Sequence, residues 1–273
     1  MPRRPLGFAL VLPALAMIVM FFIVPLAASV MGAFESTDGW GFANFSTAYE
    51  LYTQDIIFTV VIVTLSTALI GLFSIAIGGY LTLGDNPRAV AILRWLYRWP
   101  MFIPFIVVGQ IMRTFLAKNG LMNGTLVGIG LVPSELADSF LDWRGIVIAF
   151  VWKQTPFVTL LVAGAMASID RGTIEAARNL GASRLRILVE IIVPQIDTTL
   201  LVGLILSFVT MMSVLSVPLM INAQSPTMLT ADIAFRINAY GDYGVANALG
   251  VISLLLTAGV AWLYLRQTMK ERT

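Results

Sequence analysis

The chain has 273 residues, of which 58% are hydrophobic and only 12% charged, with a formal net charge of +2. A soluble domain is about 45–50% apolar and about 25% charged, so this composition excludes an ordinary soluble protein and points to lipid as the solvent. Cys and His are both absent, which removes thiol chemistry, disulfides, most zinc or haem ligation and the commonest general base; there is also no basic soluble domain to hold nucleic acid.

The chain opens Met1-Pro2-Arg3-Arg4 before an apolar run from Gly7 to Gly32. A signal-peptide apolar core is about 7–15 residues long. This run exceeds that and shows no small-residue cleavage site, so it reads as a retained first span. A bilayer core needs about 20 apolar residues in a helix. Six stretches qualify: Phe8–Ala33, Ile56–Leu83, Leu96–Phe115, Gly145–Ile169, Ile196–Ile221 and Tyr243–Leu265. Pro100 and Pro104 interrupt the third, a feature tolerated where neighbours satisfy the freed carbonyls. The expected fold is therefore an all-α polytopic membrane protein with six transmembrane helices, forming one domain over residues 1–273.

Charge sets the orientation by the positive-inside rule. Arg3 and Arg4, then Arg88, Arg94 and Arg98, then Arg171, Arg178, Arg184 and Arg186, and finally Arg266, Lys270 and Arg272 fall on one side. The opposite connections carry Glu35, Asp38, Glu50, Asp55, Glu135, Asp138, Asp142, Asp232 and Asp242 against Lys118, Arg144 and Arg236. Both termini are expected in the cytoplasm of a bacterial-type inner membrane. Trp40 and Trp143 at the outer borders, and Trp95, Trp99, Trp262 and Tyr264 near the inner ones, suit the aromatic belts.

Between the fourth and fifth spans, residues 170–194 form a charged island. Asp170 or Thr173 can cap a short helix, for which Ala176, Ala177 and Arg178 are good formers. Gly181 supplies a break or a surface without a side chain. Ser183 to Val193 reads as a second helical piece that Pro194 stops or redirects before span five. On periodicity alone, this segment equally fits an amphipathic helix lying on the bilayer.

The pattern Glu175-Ala176-Ala177-Arg178, then Gly181-Ala182 and the closing Pro194, resembles the EAA loop of binding-protein-dependent ABC importer permeases. Leu12-Pro13, Val24-Pro25, Gly120-Leu121-Met122-Asn123 and Val151-Trp152-Lys153-Gln154-Thr155-Pro156-Phe157 also resemble that family, so the likeness covers nearly the whole chain. Leu188 and Val193 are mild apolar departures from its pattern. The resemblance implies a MetI-like permease fold. It further implies a loop in which Glu175, Ala176, Ala177, Arg178, Gly181, Ala182 and Pro194 couple to a cytoplasmic ATPase. The implied partners are two ATPase subunits carrying ATP and Mg, a second permease subunit, with a heterodimer favoured, and an extracytoplasmic binding protein. No cofactor and no catalysis are expected on this chain, which also lacks a Gly-Lys-Ser/Thr phosphate loop.

Ionisable residues inside spans are candidates for a substrate path. Lys153 and the neighbouring Gln154 stand within span four, and Arg113 near the outer end of span three. Lys153 serves either an anionic group or a structural pair, and Arg113 either such a group or snorkelling to the interface. Ser213, Ser216 and Asn222 in and after span five complete the set, although small polar residues also serve helix packing. Leu180 before Gly181 and the segment Tyr240–Gly244 resemble the polyamine, iron, phosphonate and sulfate group. The alternative is a sugar-type permease of the maltose or glycerol-phosphate kind. A secondary transporter would show internal repeats, and the first and last three spans show none.

Overall fold

The computed structural model describes the backbone of residues 4–37, 39–222 and 224–270, and the side chains of residues 11–37, 39–222 and 224–262. The expectations resting on Arg3, Asp38 and Arg272, and on the side chains of Arg4, Tyr264, Arg266 and Lys270, lie outside these.

Helix α1 (Arg4–Ile18) continues through a π turn (Val19–Ile23) into α2 (Val24–Phe34). Pro25 has no N–H and its ring would crowd the carbonyl four residues back. The π turn relieves this, with the Val24 amide bonding Val19 O, five residues back. A two-stranded antiparallel ribbon pairs Glu35 with Trp40 and Ser36 with Gly39. Helix α3 then runs from Ala43 to Leu83, 41 residues, well beyond the expected Ile56–Leu83 span. Its first turns are polar and extend past the apolar stretch.

Helix α4 (Pro87–Leu96) starts at Asn86, whose side-chain oxygen accepts from the amides of Arg88 and Ala89. A 3-10 turn (Trp99–Phe102) and α5 (Phe105–Leu116) follow. The expected third span, Leu96–Phe115, is thus broken in the region where its prolines interrupt it, and its helical arms run from Pro87 and to Gly128. The chain leaves the helix at Ile103 and Pro104, both extended at ψ 124° and 148°, because a residue before proline is pushed out of the helical region. The arms Pro87–Phe102 and Phe105–Gly128, the latter including α6 (Leu121–Gly128), meet at 108°. Among the described residues, five helices are long and apolar enough to cross a membrane, or six if this bent pair is one span.

Helix α7 (Trp143–Ala167) passes through Pro156. After it come α8 (Arg171–Asn179), α9 (Arg184–Arg186), a second π turn (Ile187–Ile192) and α10 (Val193–Ser213). Pro194 does not stop the chain, contrary to expectation. The same π device carries the helix through it, with the Val193 amide bonding Leu188 O.

The expected span Ile196–Ile221 is also corrected, since α10 ends at Ser213 and a separate α11 spans Ser216–Ile221. Pro218 cannot donate to Val214 O, as a continuous helix would require; the Thr230 hydroxyl donates to that carbonyl instead, at 2.9 Å. Helix α12 (Leu229–Phe235), a π turn (Arg236–Tyr240) and α13 (Tyr243–Lys270) complete the chain.

The molecule forms two compact units. One takes residues to Gln54 together with Asp232–Leu256, the other Asp55–Ala231 with the residues from Thr257. In the first, Asn44 donates to Ala33 O and Glu35 O, and Arg236 lies over the rings of Tyr52 and Tyr240. The second is centred on α7, whose Phe150, Val158, Val162 and Met166 are fully or nearly fully buried. In lipid, apolar surface gains little by leaving its solvent, so close packing of small residues holds helices together. Gly203 of α10 accordingly sits where a Cβ would be 3.3 Å from Val158 and Leu161, and Gly109 of α5 where one would be 3.0 Å from Met220.

Candidate coupling segment and translocation path

Asp170 caps α8 by accepting from the Gly172 amide at 3.1 Å, and Thr173 donates to the same carboxylate. One face anchors the helix, with Ile174 buried and the Arg178 guanidinium donating to Leu83 O at the end of α3. The helix ends at Gly181, where φ is +82°. The Gly181 amide bonds Arg178 O and the Ala182 amide bonds Ala177 O, the paired closure that satisfies the last carbonyls of a helix. A Cβ on Gly181 would meet nothing within 4 Å. The glycine is therefore required for its left-handed backbone rather than for space.

Beyond the turn, Ser183 accepts from the Arg186 amide, Arg184 pairs with Asp85, and Arg186 approaches Glu190 at 3.7 Å. The segment is thus held from below and presents a free surface. Glu175, Ala176, Arg178, Gly181 and Pro194 are exposed, while Ala177 and Ala182 are half-buried. Leu180 is 89% exposed and Leu185 70%. Leu180 thus stands in the open beside the turn, a position its reading as a hint of substrate class did not foresee.

The candidate path residues separate into groups. Ser213 and Ser216 flank the α10–α11 break and line a cavity of about 430 Å³ with Phe105, Ile106, Val214 and Leu219. Ser213 donates to Thr210 O. Lys153 borders this cavity only indirectly, its ammonium lying 5.4 Å from the centre of the Phe105 ring. The same ammonium donates to Pro100 O at 2.9 Å and Met101 O at 2.8 Å, so it braces the break in the third span. Arg113 donates to Met220 O, and Asn222 Nδ2 to Pro226 O, both near the end of α11. Gln154 is buried within α7.

Sequence reasoning missed Asp55, which it counted among loop acids. Asp55 is buried, and its carboxylate accepts from the Thr227 amide at 2.6 Å and the Ser225 hydroxyl at 3.4 Å. One turn on, the Thr59 hydroxyl accepts from the Leu229 amide. The signal available was the Asp–Thr spacing of four residues, which puts both on one helix face.

Residues 74–270 match the binding-protein-dependent transport system inner membrane component family. The chain belongs to that family and is an ABC importer inner-membrane permease. It is 28% identical to the trehalose/maltose transport system permease protein MalF of Thermococcus litoralis, over 96% of this chain and 92% of that protein. It is 27% identical to the putative 2-aminoethylphosphonate transport system permease protein PhnU of Salmonella typhimurium, over 60% of this chain and 64% of that one. Its fold matches a chain of the bacterial alginate ABC transporter solved with an alginate pentasaccharide-bound periplasmic protein, with a TM-score of 0.81, 22% identity and coverage of 96% and 93%.

Proposed function

We propose that this permease subunit imports a carbohydrate or carbohydrate derivative, driven by ATPases that dock on α8. The observation that carries the coupling role is the build of α8, anchored by Ile174 and Arg178 while Glu175, Ala176 and Leu180 stay exposed. Similarity along nearly the full length to a trehalose/maltose permease, against a shorter match to a phosphonate permease, supports a sugar over the polyamine, iron and oxyanion group. The pathway cavity agrees chemically, since serine hydroxyls and an aromatic ring at Phe105 suit a polyhydroxylated solute.

In this reading, two cytoplasmic ATPase subunits hold ATP and Mg, a second permease completes a heterodimer, and a binding protein delivers solute from outside. Both termini lie in the cytoplasm, and this chain carries no cofactor. Closure of the ATPases moves α8 and switches the packed helices between two arrangements.

Uptake of labelled disaccharide and of labelled 2-aminoethylphosphonate, in cells carrying the wild type or Glu175→Lys, tests both halves. Disaccharide uptake that Glu175→Lys abolishes without reducing membrane insertion is expected. Undiminished uptake in the variant overturns the coupling role, and uptake of the phosphonate alone overturns the sugar assignment.

A further inference from the structure

A second cavity, of about 660 Å³, opens beside α8 and takes Arg171, Ile174, Glu175 and Arg178 of that helix into its lining. Four arginines line it, Arg94, Arg98, Arg171 and Arg178, against one acidic residue, Glu175. None of the four forms an ion pair among the described residues. Arg178 has one N–H on Leu83 O and Arg98 one on the Tyr97 hydroxyl, but each guanidinium has five donors, so most remain free. Such an excess of positive charge around a concave space has no structural partner to explain it.

Leu81, Leu160, Met166 and Ile169 add an apolar part to the lining. Tyr97 lines both this cavity and a neighbouring groove of about 530 Å³. That groove is almost wholly apolar, running along Phe73, Ile77, Leu93, Val151 and Pro156. Exposed Trp95 and Trp99, stacked edge to face at 4.9 Å, stand on the same stretch of chain, and such rings favour the headgroup level of a bilayer. A basic chamber that shares Tyr97 with an oily groove, on the same stretch of chain as that ring pair, matches one amphiphile.

We propose that cavity and groove together bind one anionic phospholipid. Its phosphate lies among Arg94, Arg98, Arg171 and Arg178, and an acyl chain lies along the groove past Ile77 and Val151. Guanidinium groups pair with phosphate oxygens through two parallel N–H donors. Glu175 disfavours a second negative charge, which fits a headgroup of single charge. Because Arg171 and Arg178 belong to α8, the lipid ties the coupling segment to α4.

The test is native mass spectrometry of the full-length chain in detergent, titrated with phosphatidylglycerol, phosphatidylethanolamine or phosphatidylcholine, and separately with inorganic phosphate as competitor. One phosphatidylglycerol per chain is expected to be retained, at least tenfold more tightly than the zwitterionic lipids. Arg94→Gln/Arg98→Gln lowers that affinity at least tenfold. Arg184→Gln/Arg186→Gln removes equal charge outside the cavity and changes it less than twofold. Val151→Trp fills the groove without altering charge and also weakens retention. Equal losses in the two double variants, equal binding of phosphatidylethanolamine, or full retention by Val151→Trp each overturns the proposal. Displacement of the lipid by millimolar phosphate assigns the chamber to a soluble anion and overturns it likewise.

Discussion

The ammonium of Lys153 in α7 donates to Pro100 O at 2.9 Å and to Met101 O at 2.8 Å, so a charge inside one helix closes the broken end of another. Pro104 has no N–H to offer Pro100 O, which takes the Ile103 amide at a long 3.3 Å, and a poorly satisfied carbonyl is costly in a membrane. Lys153 supplies donors to it and to Met101 O from outside the segment.

Lys153→Met is therefore expected to destabilise the purified protein by about 2–3 kcal/mol, the scale of hydrogen bonds to a charged group. Lys153→Gln, which keeps a donor, is expected to lose about half as much. Thermal unfolding in detergent measures both. A variant of unchanged stability with a raised KM for uptake would instead make Lys153 a solute contact.

Asp55→Ala removes the acceptor for the Thr227 amide and the Ser225 hydroxyl. Leaving a buried amide unsatisfied costs about 1–3 kcal/mol. Hydrogen exchange is expected to rise in the segment from residue 224 to Leu229 before it rises in α7. Uniform exchange across the protein would contradict this local role.

Gly181 stands at φ +82° with open space around its Cα. Gly181→Ala is expected to cost about 1 kcal/mol through its backbone alone, and Gly181→Asn less, since Asn tolerates this region. Uptake should therefore rank wild type, Asn, Ala, with membrane insertion equal in all three. Equal uptake in all three would show that the turn geometry plays no part in coupling.

Asp142 caps α7 by accepting from the Arg144 amide and side chain. Burial works against its charge most strongly, but hydrogen bonds from the Arg144 side chain and amide, with the guanidinium charge, hold its carboxyl below the ordinary carboxylate range. A carboxyl depressed on folding adds stability above its unfolded pKa, which is lost as pH falls through the lower folded value. Asp142→Ala should cost about 1 kcal/mol at pH 7, as a lost cap does. Its deficit should shrink as the pH drops below about 4. A deficit that holds constant from pH 7 to pH 3 would contradict this.

The runs Phe8–Ala33, Ile56–Leu83, Gly145–Ile169 and Tyr243–Leu265 were legible without coordinates, and each overlaps a helix long and apolar enough to cross a membrane, because a helix that must satisfy its own backbone in lipid leaves an unbroken oily stretch. The short helix α8 and its closing turn were equally legible, since Asp170, Ala176, Ala177 and Gly181 each act through local rules of capping and turning. The helix interruptions were only half legible. Pro100, Pro104, Pro194 and Pro218 flag possible breaks, but local sequence does not say which chains bend and which slip through on a π turn. Thr230 supplies Val214 O with a donor and Lys153 supplies Pro100 O with one, so those helices break. No such donor is needed at Pro194, where the shift to Leu188 O absorbs the missing amide.

The chain by itself thus determined its solvent, its apolar helices and the turn that closes α8, all properties of neighbouring residues or of composition. Only the tertiary structure decided where the helices break, that Asp55 and Lys153 serve as internal braces, and that arginines of α4, the turn after it and α8 surround one cavity. Those features depend on groups 50 to 170 residues apart, whose meeting is fixed by helix packing and leaves no local pattern in the sequence.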